Sequence, residues 1–169
     1  MAVATRTDRS SASRVGGYAR ATAVLALVVI VDQVSKHVVE SGMAVGQVDK
    51  VIPGIKLEHV RNTGVAFSLF SGGGAVVLVI TLVALAGLVG YFARRPGRPW
   101  LWLPTGLLVG GAIGNLIDRV REGAVTDFVK LPHWPAFNVA DMAITFGVIA
   151  LLVTIEAGGR RAAKASGDG

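Results

Sequence analysis

Three carboxylates, two amides and a guanidinium fall close together in an otherwise strongly apolar chain. They are Asn115, Asp118 and Arg119 in the run Gly110-Gly-Ala-Ile-Gly-Asn-Leu-Ile-Asp-Arg119, Asp127 in Val125-Thr-Asp-Phe128, and Asn138 and Asp141 in Phe137-Asn-Val-Ala-Asp141. Ionisable groups at or near membrane depth are costly, by a few kcal/mol for a carboxylate at mid-bilayer, so such a cluster reads by default as a functional site. The chain has no cysteine, and His37 and His59 stand in no metal-ligand spacing. With no thiol, no helix-borne histidine pair and no nucleotide loop, the natural chemistry is a pair of aspartates activating water. Two carboxylates held close cannot both ionise cheaply. The ionised one takes a proton from water while the protonated one polarises a carbonyl, with no metal and no cofactor.

Spacing narrows the choice of pair without closing it. Asn115, Asp118 and Arg119 stand at i, i+3 and i+4, so one helical face gathers them, and Arg119 is expected to hold Asp118 as an ion pair. That suits an architectural role for Asp118. Asp127 lies in an extended-looking stretch and Asp141 one turn beyond Asn138, so Asp127 with Asp141 is preferred and Asp118 with Asp141 stays open. Asp32 and Lys36, four apart, read equally as an interfacial ion pair and as support for the site. Asn62, in Asn62-Thr-Gly64, reads from spacing alone as a turn former.

The elements that must position these residues are membrane helices. Of 169 residues 52% are hydrophobic and only 17% charged, too apolar for an ordinary soluble domain. Four spans are expected, over about residues 16–39, 75–93, 100–117 and 137–155, each close to what a bilayer core requires. The first could pass for a secretory signal peptide, but no clear cleavage site follows and the helical register continues through Asp32 and Lys36. The third is interrupted by Pro104, and its Gly106, Gly110, Gly111 and Gly114 place it inside the bundle. Between the first two spans, residues 42–70 break the apolar run. There Pro53-Gly54 is a turn signal and Ile55-Lys-Leu-Glu58 alternates with period two, which predicts a small sheet. Ser71 caps a glycine hinge. Residues 1–15 and 158–169 read as disordered tails of a single domain spanning 1–169.

Net charge is +6, but no basic stripe with interleaved aromatics suggests nucleic acid. Position explains the charge better. Ten of the 17 Lys and Arg lie in the N-terminal tail, the 94–98 loop and the C-terminal tail, so both termini are expected in the cytoplasm and both larger loops outside. Asp32, Lys36, Asn62, Asn115, Asp118, Arg119, Asp127, Asn138 and Asp141 then all fall on the outer side.

At these residues the sequence resembles the lipoprotein signal peptidases, also called signal peptidase II. The likeness runs from Asp32-Gln-Val-Ser-Lys36 through Arg61-Asn-Thr-Gly-Val-Ala-Phe-Ser68 and the three runs above; five motifs in order are highly specific. It implies an all-α protein of the bacterial inner membrane, with four membrane helices and a small extracytoplasmic β-cradle between helices 1 and 2. It also implies an aspartic endopeptidase, a monomer among membrane lipids, that cuts the signal peptide from prolipoproteins just before the diacylglyceryl-modified cysteine. By position, Asp127 and Asp141 resemble the catalytic pair. Asn62, Asn115, Arg119 and Asn138 resemble substrate-contacting or pair-supporting residues, and Asp32, Lys36 and Asp118 structural support. The chain departs from the family at Val65, more often alanine, at Thr126, often valine, and in a short link from Asp127 to Asn138.

Two rival readings remain on the residues alone. A small four-helix transporter can use intramembrane aspartates to carry protons, but it needs a site reachable from both sides, and here the ionisable groups sit at one end. A purely structural membrane protein leaves the Asn/Asp/Arg cluster unexplained.

Overall fold

The computed structural model describes the backbone of residues 2–63 and 73–167 and the side chains of 13–63 and 82–160. Residues 64–68 of the Asn62 motif, with Val65, and the cap expected at Ser71 lie outside them. The elements are α1 (Ala2–Gly42), β1 (Val48–Ile52), β2 (Ile55–Asn62), α2 (Gly73–Arg94), α3 (Trp102–Glu122), β3 (Val125–Lys130) and α4 (Val139–Gly167). The fold is mostly helical with one small antiparallel sheet.

The described parts of both segments expected as disordered tails are helical, because α1 starts at Ala2 and α4 runs to Gly167. Their alanines and arginines are strong helix formers and prolong helices nucleated by the apolar runs. Pro104 does not interrupt α3 either. It stands in the first turn, where its missing N–H has no intrahelical acceptor to lose. The helix ends at Gly123, left-handed at φ 70°, whose N–H bonds Arg119 O at 3.1 Å.

α3 lies between α1 and α4. Glycine makes this possible: a Cβ at Gly114 would come within 2.5 Å of Asp32 Oδ2, and one at Gly111 within 2.5 Å of Ala140 O. Small residues at such crossings let backbones approach closely enough for polar side chains to meet between them. The outward faces are apolar. Leu27, Ile30, Val34 and Val38 of α1 and Phe146, Ile149, Leu152 and Val153 of α4 are exposed, far more apolar surface than a soluble monomer leaves open. Among the described residues, Ser13–Gly42 and Val139–Arg160 are long and apolar enough to cross a bilayer.

The sheet has the order β1-β2-β3. β1 and β2 form the hairpin expected at Pro53-Gly54. Gly54 has φ 86°, and with proline before it the turn is of type II. Type II turns do not match the twist of a hairpin, and the register slips between Lys50 and Ile52 next to it. The third strand corrects the expectation of a sheet built wholly between the first two spans. β3 comes from the segment between α3 and α4, and it covers an edge of β2 that would otherwise be left unpaired.

Candidate active site

Strand register brings Asp127 to Asn62. Val60 pairs with Asp127 and Asn62 with Val125, so Asn62 is the diagonal same-face neighbour of Asp127. Its Nδ2 donates to Asp127 Oδ2 at 2.9 Å, which replaces the turn role read from spacing. The link from Asp127 to Asn138 doubles back on itself. Phe137 bridges Val129, with Phe137 N bonded to Val129 O at 3.0 Å, and this sets Asn138 beside Asp127. Asn138 Nδ2 then donates to Asp127 Oδ1 at 2.7 Å. Each oxygen of Asp127 thus accepts an amide N–H while the residue is only 2% exposed. Burial pushes its pKa up from 3.8 to about 6. The Asn62 hydrogen bond opposes this, the charge of Asp141 adds to it, and Asn138 and Lys36 oppose it more weakly.

Asp141 is fixed by the start of α4. Asn138 Oδ1 accepts from Asp141 N at 2.9 Å, and Asp141 Oδ2 accepts from Asn138 N at 3.3 Å. This is a reciprocal capping box, which satisfies N–H groups that a helix start otherwise leaves free. Asp141 Oδ1 accepts from Asn115 Nδ2 at 2.8 Å. One more orphan N–H of that first turn, from Ala140, goes to Asp32 Oδ1 at 2.8 Å, tying α4 to α1.

Beneath the two aspartates lies a buried ammonium. Lys36, 2% exposed, donates to Asp32 Oδ2 at 2.8 Å and Asn115 Oδ1 at 3.1 Å, and pairs with Asp118 Oδ2 at 2.7 Å. Three partners match its three N–H donors, as a buried cation requires. The expected Arg119–Asp118 ion pair is absent. Adjacent helical residues point about 100° apart, so Asp118 faces inward to Lys36 while Arg119 is exposed and donates to Asn115 O of its own helix at 3.1 Å. Asn115 is the hub: Oδ1 accepts from Lys36 and from Asn138 Nδ2 at 3.1 Å, while Nδ2 serves Asp141.

Asp32, Lys36, Asn115, Asp118, Asp127, Asn138 and Asp141 therefore form one hydrogen-bonded network, with Asn62 at its rim and Arg119 beside it. A family model described as signal peptidase (SPase) II matches residues 24–156, which hold the whole network. The chain belongs to the signal peptidase II family. Membership implies a protease. The lipoprotein signal peptidase of Pelotomaculum thermopropionicum is 42% identical over 130 residues, covering 76% of this chain and 86% of that protein. The one from Moorella thermoacetica is 45% identical over 127 residues, 74% and 85% of the two chains. Among solved structures, a bacterial membrane enzyme determined in meso at 1.9 Å superposes with a TM-score of 0.72 at 33% identity, covering 80% of this chain and 91% of that one.

Two residues of the signal peptidase II network escape sequence reading. Gln33 Nε2 donates to Asp118 Oδ1 at 2.8 Å and leans on Gly114 O at 3.3 Å. Glu40, near the end of α1, accepts from Thr126 Oγ1 at 2.6 Å. A glutamine and a glutamate at a helix end carry no motif; only Gln33's place within Asp32-Gln-Val-Ser-Lys36 marks it. His59 is buried in the sheet and bonds Met43 O through Nδ1 at 2.9 Å. Among the described residues no group of His, Asp and Glu has the arrangement of a metal site.

Proposed function

We propose that the chain is an intramembrane aspartic endopeptidase that removes signal peptides from prolipoproteins on the N-terminal side of the diacylglyceryl-modified cysteine. The observation that carries this is the shared amide of Asn138. It caps the helix that holds Asp141 and donates to Asp127, so two carboxylates from different elements are fixed against each other. Asp127, whose pKa is raised, keeps the proton of the pair and donates it toward the scissile carbonyl oxygen. Asp141 takes a proton from the attacking water. The hydroxide adds to the carbonyl carbon, and the tetrahedral intermediate collapses as a proton passes to the leaving amide nitrogen. Asn62 and Arg119 stand at the open rim as groups for the substrate backbone, while Asn115, Lys36, Asp32 and Asp118 hold the pair from below.

The same reading places four spans in the bacterial inner membrane with both termini cytoplasmic, supported by the basic short segments. The transporter reading is disfavoured by what lies under the network. Residues 21–31 of α1, 102–117 of α3 and 142–155 of α4 contain no ionisable side chain, so the described helices offer no relay to the other face. The deciding experiment is cleavage of a diacylglyceryl-modified precursor by protein purified in detergent. Asp127→Asn and Asp141→Asn, each still folded by thermal unfolding, are expected to be inactive; turnover by either defeats the assignment.

A further inference from the structure

The end of the molecule opposite the aspartates carries a second polar construction. From Asp141 to Thr154 is about 20 Å along α4 at 1.5 Å per residue. There a cleft of about 300 Å³ is lined by Arg98, Pro99 and Trp100 from the α2–α3 loop and by Val153, Thr154, Ala157 and Gly158 of α4. The Arg98 guanidinium lies against Gly158, where any Cβ would collide with it. Trp100 is 64% exposed at φ 64°, stacked on Trp102 with ring centroids 6.0 Å apart. The loop is no loose turn: Tyr18 of α1 donates to Ala93 O at 3.1 Å, and Pro96 is buried.

Among the described residues its charge is uncompensated. The guanidinium carbons of Arg95 and Arg98 sit 5.2 and 5.8 Å from the centroid of one ring, Tyr91, and both groups donate to the same Tyr91 hydroxyl. Among the described residues neither has a carboxylate partner. Among the described residues, Glu156 of α4 pairs with Arg160 at 2.7 Å. Two like charges drawn onto one neutral hydroxyl call for an anion that accepts from both. Guanidinium forks fit a phosphate oxygen pair, and the apolar wall of Val153 and Ala157 with the exposed indole fits what hangs from a lipid phosphate. A free anion would leave that wall unused.

We propose that this cleft binds the phosphodiester headgroup of an anionic phospholipid of the cytoplasmic leaflet, held by Arg98 with Arg95 at its edge and Trp100 beside the glycerol. The site rests on the membrane orientation proposed above but not on the aspartate chemistry. The test uses the full chain in neutral detergent, with thermal unfolding followed while short-chain phosphatidylglycerol, phosphatidylcholine of equal chain length or inorganic phosphate is titrated in. Phosphatidylglycerol is expected to stabilise saturably, and the other two are not. Arg98→Gln and, independently, the exposed Arg95→Gln should each weaken apparent affinity roughly tenfold. Arg160→Gln, which removes a charge from the same end but one already paired, should leave it unchanged. Equal stabilisation by phosphatidylcholine, full stabilisation by phosphate alone, or a loss with Arg160→Gln as large as with Arg98→Gln overturns the site. Asp127→Asn protein should bind phosphatidylglycerol like the parent, so failure of the peptidase reading and failure of this one are read separately.

Discussion

Asn138 and Asp141 cap each other at the start of α4, and Asn138 gives its remaining amide hydrogens to Asp127 and Asn115. One side chain therefore does two jobs, starting a helix and aligning the carboxylate pair. The geometry of Asp141 is set by the contacts that start α4. Asp127 is tied to the same contacts through the shared amide.

The two jobs separate under substitution. Asn138→Ala is expected to lose the cap, about 1 kcal/mol, and more for the acceptor of Asn115 and the carboxylate of Asp127 left short of a donor. Asn138→Ser keeps a capping oxygen but lacks the second donor. It should recover part of the stability of the alanine variant and none of its lost turnover. Thermal unfolding and precursor cleavage on the two proteins decide it; equal activity of Asn138→Ser and the parent would show that the amide contact to Asp127 is idle.

Asp127 predicts a pH signature. Its folded pKa of about 6 lies above the unfolded value, so the native state binds its proton more tightly. Stability contributed by this group is complete below about pH 4 and is lost as pH rises through about 6. Asp127→Asn should therefore match or exceed the parent in stability at pH 7–8, with the difference narrowing toward pH 4. Turnover should be bell-shaped, its alkaline limb near pH 6, because only the singly protonated pair is competent. Urea unfolding of both proteins across pH 4–8 checks the first part. A parent that grows more stable relative to Asp127→Asn as pH rises contradicts it.

Contacts set by local spacing were legible in the chain. Asp32 with Lys36 at i+4 and Asn138 with Asp141 at i+3 follow from helix geometry alone. Contacts set by how helices cross were not. Lys36 reaches Asp118 only because Gly110 and Gly114 let α3 close on α1, a distance that no local pattern encodes. Arg119, next to Asp118 in sequence, was the wrong partner for that reason. The β3 strand is short and carries a buried aspartate, so it lacks the clean alternation that marks Ile55-Lys-Leu-Glu58, and its place in the sheet follows from pairing with β2.

The ammonium at the bottom of the network gives the sharpest stability contrast. Lys36→Met should destabilise by about 3–5 kcal/mol, since it strands Asp32 and Asp118 without their cation. Arg119→Gln should shift stability by no more than about 0.5 kcal/mol, because its exposed side chain bonds a backbone carbonyl of its own helix that the substitution leaves in place. Adding Asp118→Asn to Lys36→Met removes one stranded charge and should recover part of the loss. Thermal unfolding in one detergent orders the three proteins; a double variant less stable than Lys36→Met alone would mean that Asp118 draws its support elsewhere.

Thr126 immediately precedes Asp127 and is held from three sides. Its hydroxyl donates to Glu40 Oε1 at 2.6 Å, its N–H to Asp118 Oδ2 at 3.4 Å, and its carbonyl accepts from Asn138 Nδ2 at 3.4 Å. The two backbone bonds survive any side chain, but the Glu40 bond exists only because position 126 carries a hydroxyl. Thr126→Val keeps the shape and deletes that bond, at about 1 kcal/mol with the half-buried Glu40 left to find water. Releasing α1 from β3 loosens Asp127 on its far side, and small misplacements of a reacting group are expensive, so kcat is expected to fall by up to roughly tenfold with KM little changed. Thr126→Ser and Glu40→Gln each preserve a donor–acceptor pair and should stay near the parent. In a double-mutant cycle, Thr126→Val and Glu40→Ala should be strongly non-additive in kcat, each abolishing the same contact. Additive effects, or a Thr126→Val enzyme with unaltered kcat, would reduce the Glu40–Thr126 bond to a structural tie between α1 and the sheet with no bearing on Asp127.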